Sequence, residues 1–138
     1  MNPEYIASAR ERFASRPAEF HVGDVTALGA GLSGFDRVLA FGVVDHLDDA
    51  GAENLFRSAA SALKPTGRLV TIDGVFTEPQ GRLARVVIAY DRGQYVRRQD
   101  AYTRLARTAF ANVEPTIRHD LLRIPYTHCV LDCEVPVL

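Results

Sequence analysis

The sequence predicts an α/β domain with a mostly parallel sheet and a C-terminal antiparallel strand pair. Three observations predict it. Helical and strand-like stretches alternate through the first half, the pattern of an α/β fold. The run Val38-Leu39-Ala40-Phe41-Gly42-Val43-Val44 is apolar throughout, as in a strand buried on both faces of a parallel sheet. Near the C-terminus, two strand-like stretches at 113–122 and 127–135 are joined by Arg123-Ile124-Pro125-Tyr126, a link short enough for an antiparallel pair.

The elements follow in order. Asn2-Pro3-Glu4 starts a helix, with Asn2 as N-cap, Pro3 at the first helical position and Glu4 in the first turn. Tyr5, Ile6, Ala9 and Phe13 recur at helical spacing as its inward face, and Pro17 stops it. Phe20 and Val22 flank His21 as a short strand ending at Gly23-Asp24. A glycine-broken loop then runs to Gly34. It contains Gly29-Ala30-Gly31-Leu32-Ser33-Gly34, the spacing of a dinucleotide loop. Such a loop has to follow a strand and open a helix. Here a strand follows, so the segment reads as a plain loop. A helical reading of Phe35, Val38, Leu39 and Val43 stays open, but it closes no tight βαβ unit.

After the apolar strand, Asp48 or Asp49 caps a helix with Leu55, Phe56, Ala59 and Leu63 on one face. Lys64-Pro65-Thr66-Gly67 ends that helix and turns into a strand at 68–73. A loop runs from Gly74 to Gly81. Leu83, Val86, Val87 and Tyr90 predict the inward face of a helix broken near Gly93. Asp100 caps another, with Tyr102, Leu105, Ala106, Ala109 and Phe110 inward. No repeat or linker interrupts the chain, so residues 1–138 are expected to form one domain.

Lys and Arg number 16 against 17 Asp and Glu, a net charge of −1. That balance argues against a nucleic-acid partner held by a strong basic field. No apolar run approaches the ~18 residues of a membrane span. The N-terminus carries no basic-then-apolar leader, so a cytoplasmic location is the default. Cys129 and Cys133 lie four apart. On a strand that spacing is ~13 Å, too far for a disulfide. His128 beside them adds a third donor for a metal. The reading adopted is two buried thiols on a core strand, with no metal.

Phe35-Asp36-Arg37-Val38-Leu39-Ala40-Phe41-Gly42-Val43-Val44-Asp45-His46-Leu47-Asp48-Asp49 resembles the fourth-strand motif of class I S-adenosylmethionine (SAM) methyltransferases. Leu63-Lys64-Pro65-Thr66-Gly67-Arg68-Leu69-Val70 is similar to that family's bridge into strand five, with Thr66 for the usual first glycine. Phe20-His21-Val22-Gly23-Asp24-Val25 is similar to its third-strand motif, and residues 5–13 resemble the helix after strand two. The resemblance covers nearly the whole chain. It implies a Rossmann-like methyltransferase sheet that lacks strand one, the glycine-rich cofactor loop and strand two. The expected domain is therefore incomplete at its N-terminus, either as a fragment or truncated gene product or as a natural relative without the loop. SAM binding by this chain alone is expected to be weak or absent.

The resemblance also assigns roles. Asp24 would accept from the adenine amino group and the Val25 N–H would donate to the ring. Phe41 and Gly42 would lie near the methionyl end. Asp45 and His46 end the strand where an acceptor's proton could be taken, although methyl transfer asks for alignment more than for a base. Asp91, Arg92 and Arg97, with Arg98 nearby, lie where the family builds acceptor pockets, the arginines as clamps for a carboxylate or phosphate. The partner implied is a small-molecule methyl acceptor, with no nucleic acid and no membrane. The family's strand order is 3-2-1-4-5-7-6. Without strands one and two, the 38–44 strand becomes a bare edge. It pairs either with the 20–23 strand or with a second copy, and the homodimer is favoured. A non-catalytic relative acting through self-association, and a nucleotide-binding oxidoreductase resting on residues 29–34, are the rivals.

Overall fold

Among the described residues, three of the four ladders are built on one long strand. The computed structural model describes residues 3–25, 32–90 and 93–137. Its elements are α1 (Pro3–Arg12), β1 (Phe35–Phe41), a 3₁₀ turn (Val44–His46), α2 (Asp49–Ala62), β2 (Leu63–Phe76), α3 (Arg82–Tyr90), β3 (Arg97–Arg98), α4 (Gln99–Ala106), β4 (Phe110–Arg118) and β5 (His128–Pro136). The sheet order is β1-β2-β5-β4, with β3 pairing to the end of β2. β1 runs parallel to β2, and β5 is antiparallel to both β2 and β4. The parallel start and antiparallel C-terminal pair are as the sequence predicts.

The strand at 35–41 also settles the open choice there against a helix. Gly42 ends it at φ +60°, a left-handed conformation that glycine adopts without strain. Its N–H still reaches Ile72 O at 2.8 Å. The turn expected at Lys64-Pro65-Thr66-Gly67 sits inside the ladder. Phe35 pairs with Leu63 and Arg37 with Arg68, so the intervening residues loop out, held by Lys64 Nζ at 2.7 Å from Asp36 Oδ1.

The core lies between the sheet and the pair α2 and α4. Asp48 caps α2, its side chain accepting from Gly51 N–H at 2.8 Å. Leu55, Phe56 and Ala59 face inward as expected, against Leu69, Leu131 and Cys133. Tyr102, Leu105 and Ala106 of α4 join them, with Ala109 and Phe110 just beyond. Asp100 lies in the first turn of α4, whereas its N-cap is Arg98 without a side-chain bond. Cys129 and Cys133 are free, buried thiols, and burial pushes both up to about 12.

Three expectations fail. Residues 20–23 form no strand. Backbone N–H and C=O groups need a neighbouring ladder to make one, and here the chain is held by side chains instead. The Arg10 guanidinium donates to Phe20 O at 2.6 and 2.9 Å, and the Phe13 ring stacks on Phe20. The helix α1 buries none of its residues, so Tyr5 and Phe13 form no core face. The helix at 82–90 exists, but its inward side is Ala84 and Ile88. Leu83, Val86 and Tyr90 stay exposed, because the small Ala84 side is the one that approaches the sheet closely. The strand boundaries shift as well: β4 ends at Arg118, and the link to β5 is longer than 123–126. Asn2 and residues 26–31, and with them most of the expected glycine loop, lie outside the described residues.

Candidate active site

Open α/β sheets bind ligands beyond the carboxyl ends of their parallel strands. At the ends of β1 and β2 there is a cavity of about 710 Å³. Phe41, Gly42, Asp45 and His46 line it from one side, Ile72, Asp73 and Gly74 from the end of β2. Val86, Val87 and Tyr90 of α3 form a third wall, and Leu122, Ile124, Tyr126 and His128 a fourth. A larger cleft, about 740 Å³, lies between the end of β2, α4 and β4. Of the residues weighed from the sequence as acceptor contacts, Arg98 lines it, paired with Glu78 at 2.9 Å.

The floor of the first cavity is a turn held by one carboxylate. Asp73 Oδ1 accepts three consecutive backbone N–H groups, from Val43 at 3.0 Å, Val44 at 2.8 Å and Asp45 at 3.3 Å. Those are donors that the short 3₁₀ turn leaves open. The turn therefore sits directly against the end of β2 and presents Asp45 and His46 there. Asp45 and Asp73 are both buried. Burial, and then the neighbouring Asp45 charge, push the Asp73 carboxyl up to about 6. Asp45 Oδ1 and Asp73 Oδ2 have no hydrogen-bond partner among the described residues. The contact of Asp45 Oδ1 with His46 Nε2 is long, 3.8 Å.

Behind the turn, Arg97 is a clasp. Its Nε and one terminal nitrogen bind Asp49 Oδ1 at 3.0 and 2.8 Å. The remaining N–H groups donate to Val44 O, Tyr95 O and Leu47 O at 3.1, 2.9 and 2.7 Å. A guanidinium has five N–H donors, and these bonds use all of them. The expected role of Arg97 as a clamp on an acceptor's carboxylate or phosphate is therefore unavailable, since no donor is left. Tyr95 N–H returns a bond to Asp45 O at 2.9 Å, and Tyr102 Oη donates to Gly74 O at 2.8 Å.

Of the residues expected from the sequence, the cavity joins Phe41, Gly42, Asp45 and His46. Asp24 is exposed and Val25 packs partly buried on the core, and neither lines the cavity. Asp91 and Arg92 lie outside the described residues. Asp73, Tyr126 and His128 were missed. Asp73 had a signal, an acid at the carboxyl end of a strand next to the motif strand. Tyr126 had none in the sequence, because its place depends on Gly74. A Cβ on Gly74 would lie 2.5 Å from Tyr126 Oη, so glycine there is what lets the ring pack over the strand end. No group of three or more metal-binding side chains is found among the described residues.

The fold compares closely with solved structures. Over 99% of its length this chain matches the S-adenosylmethionine-dependent methyltransferase SibL in its apo form, with TM-score 0.78 and 20% identity. This is a class I SAM-methyltransferase fold with an incompletely closed sheet. Residues 1–67 match the methyltransferase domain family. The mitomycin 7-O-methyltransferase MmcR matches over 96% of the chain, with TM-score 0.71 and 21% identity. The PH0226 protein of Pyrococcus horikoshii OT3 matches over 96%, with TM-score 0.63 and 18% identity, and 70% of its own length is covered. This chain spans only 42% of SibL and 40% of MmcR. No curated protein matches it. Among the described residues, no helix is long and apolar enough to cross a membrane.

Proposed function

We propose that this chain is the acceptor-facing part of a SAM-dependent methyltransferase acting on a small molecule in the cytoplasm. The observation that supports this most is the gathering of Phe41, Gly42, Asp45 and His46 on one cavity at the carboxyl ends of β1 and β2. The residues present fit the methyl-bearing end of the cofactor. Nothing lies within 4 Å of where a Gly42 side chain would begin, so the end of β1 is open to a ligand. When bound, the cofactor supplies a methyl group already activated on a sulfonium, so the protein's task is chiefly alignment.

In this reading Asp24 and Val25 meet the adenine, and Asp45 and His46 face the acceptor's proton. Asp91 and Arg92 contact the rest of the acceptor, while Arg97 braces the turn. Thermal shift tests it. Millimolar SAM is expected to raise the melting temperature slightly, as a weak ligand does, and NAD to leave it unchanged. A response to NAD alone would favour the oxidoreductase, and no response to either would favour the non-catalytic, self-associating use of the fold.

A second reading is favoured by one further observation. β1 has no strand on its outer edge among the described residues, and Leu39 and Phe41 are 61% and 58% exposed. A bare apolar edge pairs readily with another chain, so self-association of two copies through β1 is the alternative use of the fold. Sedimentation at micromolar concentration distinguishes a dimer from a clean monomer.

A further inference from the structure

We propose that the cavity at the ends of β1 and β2 recognises a cationic amphipathic acceptor, an alkyl- or arylalkylammonium, whose ammonium group is the anchor held by the site and not the atom that takes the methyl group. This rests on the methyl-transfer reading and names the chemical class it leaves open. Two observations carry it independently. The first is charge. Asp45 and Asp73 line the cavity at 4% and 2% exposure, and each keeps one carboxylate oxygen without a hydrogen bond among the described residues, Asp45 Oδ1 having just the long 3.8 Å contact with His46 Nε2. Buried polar atoms are satisfied almost without exception, and a buried carboxylate asks for a cation or a proton. The described lining holds no lysine or arginine, and Arg97 behind it has spent every donor. An ammonium brings three donors and a positive charge, which matches two orphaned acceptors.

The second is the wall. α3 turns Val86 and Tyr90 outward as exposed side chains, and they line this cavity together with Leu122 and Ile124. Apolar side chains left bare around a few convergent polar groups are the composition of a small-molecule pocket. Tyr126 and His128, ring centroids 4.6 Å apart, add aromatic surface on which a cation is favoured. The site therefore offers an acidic floor and an apolar wall, and an anionic acceptor would meet repulsion from both carboxylates.

The test uses three probes of one skeleton: 2-phenylethylamine, 2-phenylethanol and phenylacetate. Each is titrated into the ¹⁵N-labelled chain at about pH 8, where Asp73 is ionised. The amine is expected to shift the amides of residues 42–46 and 72–74 and to bind roughly tenfold tighter than the alcohol, the worth of one charge-assisted hydrogen bond. Phenylacetate is expected to leave them unmoved. Asp45→Asn should reduce the amine to the alcohol's affinity. Equal binding of amine and alcohol by the unsubstituted chain, or binding of phenylacetate, overturns the proposal whether or not the variant folds. Amine selectivity without any response to SAM would sink methyl transfer and leave the recognition standing. A SAM response without amine selectivity would do the reverse.

Discussion

The two edges of the sheet are built to different rules. From Val113 onward β4 alternates, with Val113, Pro115 and Ile117 the more buried and Glu114, Thr116 and Arg118 outward, and Pro115 interrupts its row of donors. Charge, alternation and proline are the ways natural sheets blunt an edge. β1 has none of that protection along its second half: Val38-Leu39-Ala40-Phe41 is continuous and apolar, yet only Ala40 is buried. The contrast teaches that β1 carries the composition of an interior strand while occupying an edge. Its sequence is written for a neighbour that the described residues do not supply.

The largest expected effect sharpens this contrast. Phe110→Ala at the start of β4, where the side chain is 1% exposed, should cost about 3–5 kcal/mol in urea unfolding. Phe41→Ala at the end of β1 should cost less than about 1 kcal/mol in the same assay, as surface changes do. Comparable losses would mean that β1 is packed after all.

A somewhat smaller effect concerns the turn that follows β1. Asp73 holds that turn with a carboxyl raised from 3.8 to about 6. The folded protein therefore takes up this proton more readily than the unfolded chain does. The Asp73 contribution favours folding most below about 3.8, weakens as pH rises to about 6, and is level above that. Over this window the loss is roughly 3 kcal/mol. Asp73→Asn keeps an oxygen to accept the three N–H groups and removes the titration. Unfolding free energies measured from pH 3.5 to 7.5 should differ between the two proteins by a slope confined to that window. Parallel curves would show that the carboxyl is not strained by its surroundings.

The smallest effect separates the edges directly. Leu39→Lys should weaken any self-association by about tenfold to a hundredfold, from like charges facing across a pairing and lost apolar contact. Thr116→Lys on β4 should leave it unchanged. Sedimentation equilibrium reads both, and an equal response would end the claim that the edges differ.

Local signals carried much of the fold. The β1-α2-β2 unit was legible because its strand is continuously apolar, its helix has a capping aspartate, and its turn holds Pro65 and Gly67. The C-terminal pair was legible as two strand-like stretches with a short link between them. The 20–23 strand was misread because alternation reports only that a segment could pair, and pairing also needs a partner. The inward face of α3 was misread for a related reason. Its large apolar residues imply burial only if nothing else needs them, and here they wall a cavity. At the site, Asp45 and His46 were visible as a strand terminus. Asp73 became meaningful only with its three backbone donors in place, and Tyr126 only with the close approach over Gly74. Those relations are tertiary, between residues tens of positions apart, and no local spacing encodes them.

The saturated guanidinium of Arg97 divides the cavity mechanically. It fastens the 3₁₀ turn, the start of α2 and the Tyr95 segment into one rigid body. The opposite wall is α3, which is anchored through just two buried side chains, Ala84 and Ile88. Adjustment to the size of an occupant therefore falls on the α3 side, like a jaw closing on a fixed anvil. Substitutions that widen ligand scope belong at Val86, Val87 or Tyr90, and substitutions at Arg97 would blunt the anvil itself.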